Sequence, residues 1–322
     1  MKKQFQKREL SVYHAKKGFF KFIVSFFRYA FLLAIAYIII TQLLYILSYA
    51  FRIPKEVYDS GVVWVPKTFT WENFKVAWTV LDYSKTALTT FCVLIISGLI
   101  EVISCALPAY GLARFKFKCK PILFAIVILM ILLPPQMIAV SMSLNYSHFD
   151  VLGVLKLIGS IFGTDIRPNL LDTGLVFWLP SVFGVGLRAG LFIFIYTQFF
   201  KGLPKELEEA AAIDGANALT TFIRVIIPSS GVAFLTVSIF SVVWHWNEYS
   251  QSILYFTEDF PIAIALKQLQ GTQSIYTAHG FSGSSPAYEM ASCLLYILPI
   301  LIMYIILQRK FIASVDRVGI VG

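Results

Sequence analysis

Six long apolar runs alternate with polar stretches along the chain, at roughly 28–50, 86–110, 122–144, 174–199, 226–247 and 287–307. Each has about the 20 residues that a helix needs to cross the hydrocarbon of a bilayer. The pattern predicts an all-α polytopic membrane protein with six transmembrane helices. The segment 151–162 is apolar but too short to span, and it reads as an amphipathic helix along the outer surface. The stretch 248–286 is long and rich in Ser, Thr and Gly around Gly280–Ser285, a length that marks a functional or a disordered loop. No internal repeat is evident.

Composition sharpens this picture. Hydrophobic residues make up 58% of the 322 and charged residues only 14%, against about 25% charged in soluble domains. The net charge of +9 does not point to nucleic acid, because the basic residues sit beside apolar runs rather than in a stripe with aromatics. They act as topology signals instead. Residues 1–28 carry eight Lys or Arg against one Glu, the loop after the second run carries Arg114, Lys116, Lys118 and Lys120 with no acid, and the tail has Arg309, Lys310 and Arg317 against Asp316. The positive-inside rule then places both termini, and residues 200–225, in the cytoplasm of a cell (inner or plasma) membrane. The first run is too long for a signal-peptide core and reads as a retained anchor. The expected organisation is a basic cytoplasmic terminus (1–27), a first span with its outer loop (28–84), and a core of five spans (85–322). Trp64, Trp71 and Trp78 in the outer loop suit an interfacial belt. Cys92, Cys105, Cys119 and Cys293 have no disulfide or metal spacing, so neither a metal nor a cofactor is expected.

One polar segment stands out, Leu203-Pro204-Lys205-Glu206-Leu207-Glu208-Glu209-Ala210-Ala211-Ala212-Ile213-Asp214-Gly215. Pro204 suits a first helical position. The glutamates complement the positive end of the helix dipole, and the alanines favour helix while leaving a ridge that another surface can approach closely. Gly215 can adopt the left-handed conformation that stops a helix, and Asn217 can cap a second helix from Ala218 to Ile227. Pro228 then restarts the chain at the foot of the fifth run. The expectation is a helix–Gly–helix elbow at 203–228 on the cytoplasmic face, open to docking with a partner. An ordinary amphipathic helix beside the membrane is the plainer reading, and both stay open on pattern alone.

Glu209-Ala210-Ala211, three residues, Gly215, nine residues and then Val225-Ile226-Ile227-Pro228 resemble the EAA signature of ABC importer permeases, E-A-A-x3-G-x9-I-x-L-P. Val225 and Ile227 are the only departures. The Gly111-Leu112-Ala113-Arg114-Phe115 ending of the second run and the Asp316–Gly322 tail are similar to the carbohydrate-uptake branch, six-span permeases of the maltose-transporter type. The resemblance covers about residues 85–322. It implies a subunit that pairs with a second permease, couples to cytoplasmic ATP-binding subunits through Glu209, Ala210, Ala211, Asp214, Gly215, Arg224 and Pro228, and receives solute from an extracytoplasmic solute-binding protein. A sugar or oligosaccharide is the implied cargo.

The chain has no G-x-x-x-x-G-K-[ST] and no H-E-x-x-H. It is therefore not expected to be an enzyme, and ATP hydrolysis falls to a partner. A gradient-driven secondary transporter is the alternative, but it would carry more buried acids and inverted repeats. A permease for a non-sugar solute also remains open. Candidate path residues are Arg188, flanked by glycines in the fourth run, Glu101 in the second run as its possible partner, and Trp244, Trp246, Asn247 and Glu248 at the end of the fifth. A cation at the bilayer centre costs about 2.5–3.5 kcal/mol and so faces protein or water. Aromatic faces beside amide and carboxylate edges suit a sugar, and they equally suit an aromatic belt. Pro134-Pro135 and Pro180 are expected to kink their spans and open cavities.

Overall fold

The computed structural model describes residues 2–59, 61, 64–150 and 153–319, and the side chains of those between 21 and 308. The fold is all-α. Among the described residues the only β pairing is an isolated bridge between Arg52 and Phe69. Two compact units divide the chain, Met1–Lys75 with Ser285–Leu294, and Val76–Ser284 with Leu295–Gly322.

In the first unit α1 (Lys2–Ala50) is continuous, and Lys21–Ala50 within it is long and apolar enough to span. The last carbonyls of a helix need partners from outside it. Asn73, in the first turn of α2 (Glu72–Val80), donates from Nδ2 to the carbonyls of Ala50 (2.8 Å) and Arg52 (2.6 Å). Arg52 is buried, donates from Nη2 to Ser48 Oγ at 2.7 Å, and lies 4.2 Å from the centroid of the Tyr49 ring.

The second unit begins with the run Tyr83–Arg114, a single candidate span made of α3 (Tyr83–Thr89), a π-turn (Thr90–Ile95), α4 (Ile96–Ser104) and α5 (Ala106–Arg114). At the π-turn the Thr90 hydroxyl donates to the Thr86 carbonyl (2.7 Å) and accepts from the Ile262 N–H (2.8 Å). The third run is bent: α6 (Lys120–Leu132) and α7 (Gln136–Ser147) meet at 99° where Pro134 and Pro135 interrupt the ladder. The amphipathic segment forms α8 (Val154–Phe162).

The fourth run differs from expectation. It is not one helix but α9 (Leu175–Val182) and α10 (Ala189–Gly202), separated at 183–188, where Gly184 and Arg188 both take left-handed backbone (φ 66° and 63°). Freed backbone groups in an apolar setting must find partners. Here Ser104 Oγ donates to the Ser181 carbonyl (2.5 Å), and Ser97 Oγ meets Ser181 Oγ (2.8 Å) and the Phe177 carbonyl (3.3 Å).

Next come α11 (Glu206–Ile213), α12 (Ala218–Thr221), a second π-turn (Phe222–Ile226) and α13 (Ile227–Ser229). The chain then bends by 79° into α14 (Gly231–Trp246). The long stretch after the fifth run is not irregular, for it carries α15 (Ser252–Tyr255), α16 (Ile262–Leu269) and α17 (Gln273–Ala278). Finally α18 (Pro286–Gly319) contains the candidate span Pro286–Gln308. Among the described residues three helices are thus long and apolar enough to cross a membrane, or five if each of the two bent pairs is one span.

Within the second unit α10 packs against α5 and α6, while α4 packs against both α9 and α14. The core includes Val102, Tyr110, Phe192, Tyr196, Phe200, Phe222 and Val237. Small residues permit the close approaches: a Cβ on Gly190 would lie 2.7 Å from Met130 Cβ, and one on Gly98 would lie 2.6 Å from Ser241 Oγ and 2.9 Å from His245 Nδ1. Gly98→Val is therefore expected to destabilise the purified chain by about 1–3 kcal/mol through overpacking. Gly111→Ala, whose new Cβ would touch only Phe115 at 4.0 Å, should not. Thermal unfolding in detergent checks this, and equal unfolding temperatures for the two variants would contradict the packing described.

Candidate functional site

The elbow is built as its residues dictate, with two differences. Helix α11 starts at Glu206 rather than at Pro204, with Lys205 preceding it and accepting from the N–H groups of Glu208 (2.9 Å) and Glu209 (3.1 Å). It ends in a Schellman motif: the Gly215 N–H reaches the Ala212 carbonyl (3.0 Å), the Ala216 N–H reaches the Ala211 carbonyl (2.9 Å), and Gly215 has φ 78°. Asn217 then caps α12, its Oδ1 accepting from the Thr220 N–H at 2.8 Å. Pro228 sits in α13, and Arg224 is exposed on the π-turn before it. The second difference concerns the alanine ridge. Ala211 is buried within the chain, whereas Glu209, Ala210, Ala212, Asp214 and Gly215 are exposed. Ile213, an apolar side chain at the tip that belongs to no motif, is 87% exposed.

Two anchors fix the elbow to the helices behind it. Arg114, at the end of α5, is 6% exposed and places Nε 3.2 Å from Glu208 Oε1, while its Nη2 donates to the Leu203 carbonyl at 2.8 Å. Phe222 stacks on Tyr110 at 5.0 Å and meets the edge of Phe200 at 6.4 Å. Burying such a ring contributes about 1.5–3 kcal/mol, and an aromatic pair adds about 0.5–1.5 kcal/mol.

The six candidate path residues separate into three settings. Arg188 is at the break between α9 and α10, not inside a helix, with its guanidinium 5.7 Å from the Trp244 ring. Trp244 in turn stacks on Phe240 (5.3 Å) and approaches Phe192 (5.9 Å). Arg188 lines a cavity with Tyr146, Phe177, Pro180, Gln251 and Tyr255. Glu248 lies nearby and accepts the Gln251 N–H at 2.6 Å. Burial, the largest influence, raises its pKa above the usual carboxylate value, opposed by that N–H and by the Arg188 charge. Tyr146, Gln251 and Tyr255 fall outside any motif, and only the fold brings them together.

Trp246 and Asn247 face elsewhere. Trp246 is buried, its Nε1–H donates to the Tyr296 carbonyl (3.1 Å), and the Tyr296 hydroxyl donates to Asn247 Oδ1 (2.8 Å). They lock α14 to the part of α18 in this unit. Glu101 does not pair with Arg188. It is fully buried with Oε2 3.3 Å from Nε2 of the equally buried His245. The Ser241 carbonyl, 2.8 Å from His245 Nδ1, can only accept, so Nδ1 carries hydrogen.

Comparison with known proteins adds independent evidence. Residues 103–317 match the family described as "Binding-protein-dependent transport system inner membrane component". The chain is 27% identical over 292 residues to the polygalacturonan/rhamnogalacturonan transport system permease protein YtcP of Bacillus subtilis, covering 88% of this chain and 93% of that one. It is 25% identical over 295 residues to the diacetylchitobiose uptake system permease protein NgcG of Streptomyces coelicolor, covering 90% and 86%. The fold is similar to a chain in the crystal structure of a bacterial ABC transporter involved in the import of the acidic polysaccharide alginate. There the TM-score is 0.68 at 18% identity, with 90% of this chain and 96% of that chain covered. The match to two thirds of the chain, on helices of the expected kind, establishes that this protein belongs to the family of binding-protein-dependent transport system inner membrane components.

Proposed function

We propose that this chain is one of two permease subunits of an ABC importer for an oligosaccharide or sugar. It crosses the membrane six times with both termini in the cytoplasm, the divided run 174–199 counting as one crossing. The elbow docks on a cytoplasmic ATP-binding subunit, and a solute-binding protein delivers cargo from the other side. The observation that carries this reading is the elbow itself: a helix stopped at Gly215, a capped second helix, an exposed Ile213–Asp214–Gly215 tip, and a base held by Arg114 and Phe222. The carbohydrate class is supported by the relatives, which are named for polygalacturonan/rhamnogalacturonan transport and for diacetylchitobiose uptake. It is supported also by the cavity, where Arg188, Gln251 and tyrosines stand among aromatic faces. Ring faces stack on sugars, and the polar edges exchange hydrogen bonds with hydroxyls.

Gly215 tests the docking role. A Cβ there meets nothing within 4 Å, so Gly215→Asn costs only the left-handed backbone, which Asn tolerates. Gly215→Asp adds a charge to the same shape. The expected outcome is normal membrane insertion for both, near-normal coupling for Asn, and loss of substrate-stimulated ATP hydrolysis by at least about tenfold for Asp, equivalent to ~1.4 kcal/mol at the docking surface. Equal transport by the two variants and the parent would remove the elbow from the coupling path. For the cavity, Arg188→Ala is expected to lower uptake while leaving assembly and basal ATPase activity intact. Uptake assays with candidate saccharides read this out, and full uptake by the variant would take Arg188 off the path.

A further inference from the structure

A groove lies beside the base of the elbow. Its floor is apolar, formed by Leu112, Phe117, Pro121 and Phe124, and its rim carries Lys116, Lys120 and Lys201. No acid lines it. None of the three lysines forms an ion pair among the described residues. Lys120 Nζ donates to the Phe115 carbonyl at 3.1 Å, and Lys201 Nζ lies 5.0 Å over the Phe124 ring. Both ammonium groups keep unused donors, since each carries three. From Pro121 onward α6 continues as a lipid-type surface, with Ile122, Ile126 and Leu129 exposed. The same three lysines also border a second depression, shared with Arg114, Lys205, Glu208 and Glu209 at the base of the elbow.

Lysines over water would need no aromatic floor, and a lipid tail alone would need no lysines. The pairing of the two fits an amphiphile with a negative head. We infer that this groove binds an anionic phospholipid, its phosphodiester among Lys116, Lys120 and Lys201 and the start of an acyl chain on Phe117 and Phe124. A zwitterionic lipid would bring a trimethylammonium group against three cations, so the groove selects for net negative charge. The lipid phosphate then sits one lysine row away from the Arg114–Glu208 anchor. The inference needs only that this end of the chain meets a bilayer leaflet, and it stands or falls independently of the docking role of Gly215.

The test uses the full chain, purified in mild detergent with the subunits that accompany it. Dioleoylphosphatidylglycerol, dioleoylphosphatidylcholine and inorganic phosphate are offered, and retained lipid is counted by native mass spectrometry. Phosphatidylglycerol should be retained in preference to phosphatidylcholine. Each Lys→Gln change at 116, 120 or 201 should weaken retention about fivefold and the triple variant about a hundredfold. The triple Lys→Arg variant and Lys156→Gln, outside the groove, should behave as the parent. Equal retention of the two lipids would overturn the inference. So would full displacement of lipid by inorganic phosphate, which would mark a simple anion site. A triple Gln variant that keeps its lipid but loses the ATP-binding subunit would overturn it too, showing the lysines to be a protein-docking surface.

Discussion

A push on a short surface helix reaches the membrane only through whatever fixes that helix at its base. In this chain the fixing contact is the guanidinium of Arg114, almost completely withdrawn from solvent and directed at both the Leu203 carbonyl and the Glu208 carboxylate. One side chain thus ties the end of α5, the end of α10 and the first turn of α11. The pair is only partly buried, since Glu208 keeps 23% of its side chain exposed, but losing Glu208 would leave the withdrawn Arg114 cation with the Leu203 carbonyl alone. The geometry therefore favours a rigid joint. Phe222 on Tyr110 makes a second joint at the far side of the elbow, so that α11 and α12 are held at two points and free only at the tip.

Breaks in the apolar runs give the remaining structure its character. Backbone polar groups inside a bilayer must be satisfied by the protein. Ser97 and Ser104 do this for carbonyls of α9 beside its interruption, and Thr90 does it for the Thr86 carbonyl at the π-turn. Those interruptions matter because the cavity opens beside them: Leu133 and Pro135 from one break, Gly186 and Arg188 from the other. The fully buried Glu101–His245 pair lies just behind that wall, since a Cβ on Gly186 would stand 2.7 Å from Glu101 Oε1.

Much of this was legible in the amino-acid pattern. Gly215 as a helix stop and Asn217 as a cap follow from local chemistry that tertiary structure has no reason to override, and both are formed. The proline pair at 134–135 likewise announced its bend. The division of the fourth run was hidden, because its residues are as apolar as those of an intact helix and the serines that meet the break, Ser97 and Ser104, stand on α4 far away in sequence. Pairing across space was also hidden. Nothing at Glu101 distinguishes His245 from Arg188 as a partner, and nothing at Trp246 reveals Tyr296. The spacing of Glu209, Ala210 and Ala211 was clear, but which alanine faces inward depends on how α11 rotates against α12, and it is Ala211 that turns in.

The central claim is that the elbow tip meets a cytoplasmic ATP-binding subunit. Cross-linking from a cysteine at the tip tests it most directly. Ile213→Cys, in a background where the exposed Cys119 is Ser, is treated in intact cells with a membrane-impermeant thiol reagent and in inverted vesicles with a short bifunctional cross-linker. The expected result is no labelling from outside and a covalent adduct with the ATP-binding subunit in the vesicles, its yield changing with added nucleotide. Labelling from the outer side, or an inward-facing cysteine that never joins that subunit, would contradict the account.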